Sequence, residues 1–462
     1  MVHKRWIVVL VGAALALAAC GRSDSPTGSA SSTSSTTSGT SSAASGDFGT
    51  LKDVCQKGDA SGATAQGVTP TEIKVGTFAD PGFSGRPGLD QELFDTAEVF
   101  SKWCNAAGGI NGRKIVVDQH DYALFNVQAK MTEACGQDFF LVGGGAVFDN
   151  QGVKTRLSCL LPDIPGYVVT AEARGADLKV EPLPNPIDNI AVGDYRYLGK
   201  TYPSSTKHIG ILTGDLATTV TVAKQAQEAV TKLGWDVVYN DQYPSAGPSS
   251  WAPYAQAMKD KGVDGVIWVG EPENLAKLET DMADISFAPQ WVRADTNHYD
   301  QKLLDVGGAA VKNTFIPSSF VPFEKADTSP AMQQYLAEYA KYKPSAKAKA
   351  LLGAQAWSSW LLFAEAAKAC GSDLTRKCVY DNATKVHDWT GGGLHATTDP
   401  GANKGSECFV LLKGANGKFT VVDNSPNTGL FNCSPKNRLD LTGDYGKGVT
   451  LQDVGKTLSD LK

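Results

Sequence analysis

Short apolar runs alternate with longer amphipathic stretches along most of the chain, and glycine- or proline-rich turns separate them. The runs at 73–78 (IKVGTF), 114–118 (KIVVD), 139–142 (FFLV) and 164–169 read as strands. Between them, 93–103, 126–135 and 150–159 carry apolar residues at helical spacing, most clearly Leu93, Phe94, Ala97, Phe100 and Trp103. The first of these helices stops at Gly108-Gly109, where glycine suits a helix end. A second series starts near 190, with helices over 190–201, 218–233, 254–261 and 272–285. Its strands are 208–212, 236–239, 265–269, 290–293 and 314–316. Two long helices follow, 331–342 and 354–370, then a hairpin of 409–412 and 418–422 about Asn416-Gly417. Beyond 425 the chain reads as polar loop. Strand–helix alternation predicts the α/β class, with parallel sheets covered on both faces. The 462 residues are too many for one core and fit two lobes.

The first residues break this rhythm. Lys4 and Arg5 precede an apolar stretch, 6–18, that is too short to span a bilayer as a helix of about 20 residues. Small residues then lead to Leu17-Ala18-Ala19-Cys20, the order of a secretory signal peptide. The cysteine after the small residues resembles the lipobox of bacterial lipoproteins, which implies removal of 1–19 and lipidation of Cys20. The Ser/Thr-rich segment that follows lacks apolar bulk and reads as a flexible tether over 20–50.

Composition narrows the chemistry further. The formal net charge is −6, and loss of Lys4 and Arg5 with the leader makes the mature chain more acidic, which argues against a nucleic-acid partner. Of nine cysteines, lipidation of Cys20 leaves eight, an even number that reads as four disulfides in an exported protein. Eight cysteines allow many pairings. Spacing favours Cys370 with Cys378 across a short loop, Cys408 with Cys433 around the hairpin, and Cys135 with Cys159 at the ends of consecutive helices. Cys55 and Cys104 then remain for each other. No C-x-x-C and no histidine pair at ligand spacing occurs, so neither a metal nor another cofactor is expected. The signatures of serine hydrolases, P-loop enzymes, zinc proteases and dinucleotide-binding enzymes are also missing, and a non-enzymatic role follows. His120-Asp121, at a strand end, is the one pair with catalytic character.

The motif Thr71-Glu72-Ile73-Lys74-Val75-Gly76, the helix closing on Asn105-Ala106-Ala107-Gly108-Gly109-Ile110-Asn111-Gly112-Arg113-Lys114, and the strand Ile115-Val116-Val117 resemble the type I solute-binding proteins of ABC importers. Within that family the resemblance is to the leucine/isoleucine/valine-binding branch, over about 70–425. It implies two doubly wound lobes joined by three crossings, near 188, 316 and 405. The expected division is 51–188 with 317–405 for the first lobe, 189–316 with 406–425 for the second, and 426–462 as a C-terminal extension. The implied function is capture of an amino-acid-like or amide-like solute in the interlobe cleft for an importer permease. The lipid would hold the protein on the extracytoplasmic face of the membrane. One departure concerns the turn after the third strand: Gly143-Gly144-Gly145-Ala146 stands where the family's amino-acid binders carry serines.

In an open parallel sheet, ligands sit at the carboxyl ends of the strands. That rule selects Phe83 and Ser84 after the first strand and Gly144, Gly145 and Ala146 after the third, whose backbone N–H groups suit an anion. It also selects Thr170 after the fourth. In the second lobe it selects Asp215, Glu271 and Asp295, each placed to hold a ligand ammonium by a charge-assisted hydrogen bond. Asp295 aligns best with the acidic residue that holds the amine in the family. A tethered sensor would use the same pocket, and an extracellular enzyme on this fold is the remaining alternative. The lipidation reading makes a direct prediction: Cys20→Ser moves the protein from the membrane fraction to the soluble fraction, and a variant that stays membrane-bound through a lipid defeats it.

Overall fold

Four strands in the order β2-β1-β3-β4, all parallel, form the sheet of the first lobe. These are β1 (Glu72–Ala79), β2 (Lys114–Asp121), β3 (Phe140–Val142) and β4 (Asp163–Ile164). They alternate with α1 (Gln91–Ala107), α2 (Val127–Gln137), α3 (Asn150–Ser158) and the single turn α4 (Ala171–Arg174). The structure is a computed structural model and describes residues 45–415 and 417–462. The leader, Cys20 and most of the expected tether lie outside the described residues. Among those described, no helix is long and apolar enough to cross a membrane.

The chain enters the second lobe through β5 (Asn189–Ala191) and α5 (Gly193–Thr201). It then alternates β6 (Ile209–Gly214), α6 (Ala217–Lys232), β7 (Val237–Tyr243), α7 (Ala252–Asp260), β8 (Gly265–Val269), α8 (Pro272–Asp284), β9 (Trp291–Arg293), α9 (Gln301–Gly307) and β10 (Thr314–Ser318). Helices α10 (Pro330–Tyr342), α11 (Leu351–Lys368) and α12 (Arg376–Ala383) return to the first lobe. The hairpin β11 (Cys408–Ala415) and β12 (Lys418–Val422) then pairs antiparallel with β10 and completes the second sheet, in the order β12-β11-β10-β9-β8-β6-β7. Up to β12 the sequence therefore passes between the lobes three times.

Several local expectations change. The strand expected over 164–169 shortens to Asp163–Ile164, because Pro165 has no N–H to donate to a ladder and Gly166 follows it. The helix expected over 190–201 begins with a strand, β5. Helices α9 and α12 form where weak apolar periodicity gave no signal. The segment beyond 425 is not loose: β13 (Asn432–Cys433) pairs with β11, and β14 (Arg438–Asp440) pairs with β5. The disulfides are Cys55–Cys104, Cys135–Cys159, Cys370–Cys378 and Cys408–Cys433.

The core of the first lobe is aromatic. Trp357 and Trp360 on α11 are fully buried and meet Phe100 and Trp103 of α1. Phe48 fills the remaining space, with ring centroids 6.0 Å from Trp103 and 5.4 Å from Trp357. Packed structure thus begins inside the segment assigned to the tether, which ends before Phe48 rather than at 50. Cutting a buried phenylalanine back to alanine removes its burial and leaves a cavity. Phe48→Ala is expected to lower unfolding stability by about 3–5 kcal/mol, read by denaturant titration. A loss below about 1 kcal/mol, as at surface sites, would restore Phe48 to the tether.

Candidate functional site

The loops that leave the carboxyl ends of β1, β2 and β3 are fixed by one side chain. Asp80, directly after β1 and fully buried, accepts from the N–H of Leu124 at 2.7 Å and of Val147 at 3.1 Å. Burial pushes this carboxyl up, and the two N–H donors oppose the rise. Asp121 adds a second tie, accepting from Gly82 N–H at 3.1 Å and Ala123 N–H at 2.9 Å. His120 turns the other way and meets Asp138 at 2.6 Å while only 3% exposed, so His120 and Asp121 do not form a catalytic pair. Asp118 stands beside this histidine and is neutralised by Lys74 at 2.8 Å.

On this scaffold Phe83 packs edge-to-face on Phe125 (centroids 6.0 Å), and Phe125 meets Phe148 at 6.1 Å. Phe125 is 70% exposed, so three rings line the lobe edge with one of them largely in solvent. Ser84 is exposed on the same loop. Arg86 reaches the other lobe: its guanidinium meets Glu271 at 2.5 Å and Glu273 at 3.1 Å. Glu271 precedes α8 and leaves the helix end uncapped, which frees its carboxylate for Arg86. Lys302 also pairs with Glu273, and Lys347 of the first lobe pairs with Asp300 of the second. These contacts place the carboxyl edges of the two sheets face to face.

Behind Arg86 lies a residue the sequence did not single out. Asp90 precedes α1 with φ 57°, is 8% exposed, and accepts from the Tyr167 hydroxyl at 2.5 Å. Its carboxyl is pushed well above the usual range, first by burial and then by Glu92, Glu271 and Asp80. Glu92 and Glu271 are raised too, burial again leading. The ring of Tyr167 lies against Gly145, where an added Cβ would stand 2.3 Å from it. Glycine at 145 therefore makes room for the tyrosine that contacts Asp90. The only hint of Asp90 in the sequence was an acidic residue at the start of a helix, a position usually explained by capping; here no cap bond forms.

The expected anion cradle is largely spent. Gly145 N–H donates to Phe78 at 3.0 Å, and Val147 N–H is taken by Asp80. Gly144, Gly145 and Ala146 are all buried. Thr170 donates its hydroxyl to Asp149 at 2.5 Å, gives the same carboxylate its N–H at 3.2 Å, and caps α4 by accepting from Ala173. Asp149 also accepts from Val169 N–H at 2.8 Å. Asp149 also lines a small recess of about 20 Å³, together with Arg156 and Asp163 among others. In the second lobe Asp215 is exposed and accepts from Ser245 N–H at 2.9 Å and from its hydroxyl at 2.8 Å. Asp295 is paired with Arg293, which also holds the buried Asp194 at 2.8 Å. Asp295 thus enters the site already neutralised, unlike Asp90.

Residues 196–418 match the model of a family described as periplasmic binding protein, just under half of the chain. No curated protein matches the chain in sequence. Among solved structures it is similar to a fatty acid ABC transporter substrate-binding protein from Thermomonospora curvata, at 18% identity and TM-score 0.67, covering 83% of this chain and 97% of that one. It is similar to a branched-chain amino acid ABC transporter protein from Thermus thermophilus with bound valine, at 15% identity and TM-score 0.65, covering 79% and 98%. The isoleucine complex of the branched-chain amino acid transporter substrate-binding protein LivJ from Streptococcus pneumoniae gives 18% identity and TM-score 0.59, covering 76% and 99%. These likenesses carry the fold.

Asp149 yields a pH prediction. Burial pushes its carboxyl to about 7 against bonds from Thr170 and Val169 that lower it. The folded state therefore holds a proton that the unfolded chain releases at about 3.9. The stability this contributes is fully present below that value and is lost as pH rises to about 7. Denaturant titrations between these limits should show the wild type losing stability relative to Asp149→Asn as pH increases. A difference that stays flat with pH would return Asp149 to an ordinary carboxylate.

Proposed function

We propose that this chain is a type I solute-binding protein, the lipid-anchored, extracytoplasmic substrate-binding component of an ABC importer. The family supports a binding role in place of catalysis, and several structural neighbours are transporter substrate-binding proteins by name. The solute enters between the carboxyl edges of the two sheets, and the lobes close on it. Closure that depends on contacts from both lobes shifts the population toward a form the permease can recognise.

The single observation that carries the choice of solute is Asp90. It is a buried carboxyl whose hydrogen-bond donor is a neutral hydroxyl, with acidic groups for neighbours. Ionising a buried carboxyl that has no cationic partner is costly, and a ligand ammonium or amide N–H relieves that cost. Arg86 offers the opposite charge on the same lobe and exchanges Glu271 for a ligand carboxylate. Phe83, Phe125 and Phe148 supply an apolar wall. The proposed solute is therefore amino-acid-like or amide-like, with a hydrogen-bond-donating head and an apolar arm. This assignment moves the cation-binding role from Asp295 to Asp90. A free fatty acid, the class of solute for which one structural neighbour is named, would bring a further anion to a carboxylate-rich cleft.

A thermal-shift screen over amino acids, amides, amines and fatty acids tests this, since a ligand at 100 Kd adds roughly 2.7 kcal/mol. The expected hits carry a cationic or N–H head. Asp90→Asn keeps the left-handed backbone that asparagine tolerates and removes the charge. It should weaken a cationic hit at least about tenfold, equivalent to about 1.4 kcal/mol, and more than Asp295→Ala does. Stabilisation by fatty acids alone would overturn the choice of solute.

A further inference from the structure

We infer that the C-terminal segment is a strap that crosses from the second lobe to the first and limits how far the cleft opens. The inference rests on the proposed function, in which the two lobes open and close.

The segment is fastened first to the second lobe. The disulfide Cys408–Cys433 roots it on β11, and β14 pairs with β5 through Arg438, Leu439 and Asp440. Leu441 N–H then donates to Asp188 at 2.7 Å. Glu228 on α6 accepts from Thr442 N–H at 2.7 Å and Gly443 N–H at 3.0 Å, and from the Tyr445 hydroxyl.

The next residues belong to the first lobe. Val449 N–H donates to Glu172 at 3.2 Å, Asp177 N–H donates back to Val449 at 3.1 Å, and Leu451 N–H reaches the Asp177 carboxylate at 2.7 Å. Val449, Leu451 and Leu461 are buried in one apolar cluster with Val153, Leu157 and Leu178. The carbonyl of Lys462 accepts from Lys377 N–H at 3.1 Å. Gly448 lies so close to Gly175 that an added Cβ would stand 1.8 Å from the Gly175 carbonyl oxygen. From Gly448 onward the strap is therefore pressed against the first lobe.

Between the last backbone hold on α6, at Gly443, and the first backbone hold near α4, at Val449, six residue steps intervene. A chain of that length spans at most roughly 20–22 Å. Wider separation at this point requires one anchor to let go, and each consists of several hydrogen bonds or of buried apolar surface. The strap runs beside the first crossing, where Arg174 of α4 donates to Gln225 of α6 at 3.0 Å. It acts as a fourth crossing of the chain, fastened to each lobe by non-covalent contacts. By excluding the widest open forms, it raises the fraction of molecules competent to bind, and that fraction scales apparent affinity.

Truncation at Tyr445 would strip apolar cover from the first lobe and confuse loosening with unfolding. The informative variant keeps both anchors and inserts a flexible Gly/Ser segment of about eight residues between Lys447 and Gly448, long enough to relax the limit. The full mature chain, without ligand, is compared by small-angle X-ray scattering with the wild type, with Arg86→Ala, which removes the cleft-side ion pair, and with the double variant. The insertion is expected to raise the radius of gyration while the melting temperature holds, and to add to the effect of Arg86→Ala. If Arg86→Ala expands the protein and the insertion adds nothing, the strap does not limit opening. If even the double variant keeps the wild-type radius, the lobes do not open, and the proposed binding cycle fails along with the strap.

Discussion

A parallel sheet sends each connection from the carboxyl end of one strand back to the amino end of another, so the outgoing loops of a lobe collect along one edge. Those loops have to hold their backbone polar groups without a ladder to pair with. In the first lobe the solution is a buried carboxylate, Asp80, whose two oxygens take N–H groups from the loops after β2 and β3 while it stands at the end of β1. Asp149 does the same between the third and fourth loops through Val169 and Thr170. Together with Asp121, which ties Gly82 in the loop after β1, these anchors fix the loops at the cleft edge of this lobe. Their burial is also why the backbone groups expected to face a ligand are turned inward.

The sequence carried the architecture because the strand–helix rhythm is a consequence of burial on both faces of a sheet. Ile73, Val75 and Ile115 are buried where the pattern requires them, and the glycine stops fall at helix ends. The candidate site was legible only in part. Phe83, Glu271 and Asp295 could be placed at strand ends, yet their partners depend on which side chains reach across space. Arg86 lies 185 positions from Glu271, and Asp90 lies 77 from Tyr167. No local spacing encodes such pairs. Gly145 shows the same limit: its role is to admit the Tyr167 ring, which reads in the sequence as a turn. The tail escaped for another reason. Val449, Leu451 and Leu461 are spaced for a surface to lie on, with neither helical nor strand periodicity.

Charge across the cleft sets how tightly the lobes hold without solute. Arg86 and its two glutamates are part-exposed, with side chains 28%, 41% and 17% accessible for Arg86, Glu271 and Glu273. Pairs of this kind are worth about 0.2–1 kcal/mol each, so they bias closure without locking it. Under the proposed function, a solute that supplies its own carboxylate to Arg86 gives up little by displacing Glu271. At Asp90 the balance differs, because the unliganded state leaves a buried acid among like charges. Under the proposed function, the exposed pair and the buried acid divide the work: one keeps the empty cleft near closure at small cost, and the other makes a filled cleft favourable.

The disulfides respect the same division. Cys55–Cys104, Cys135–Cys159 and Cys370–Cys378 each stay within the first lobe, and Cys408–Cys433 ties the root of the tail to the second sheet. Cross-links of this kind constrain the unfolded chain and stiffen the body that contains both cysteines. None of the four spans the lobes, so all of that stiffness is added within a lobe. What joins the lobes is four chain crossings, counting the tail, together with the ion pairs at the cleft. In the proposed binding cycle, rigid lobes with a compliant junction turn a small loss or gain of contact at Asp90 and Arg86 into motion of a whole lobe, because the strain cannot be absorbed inside either one.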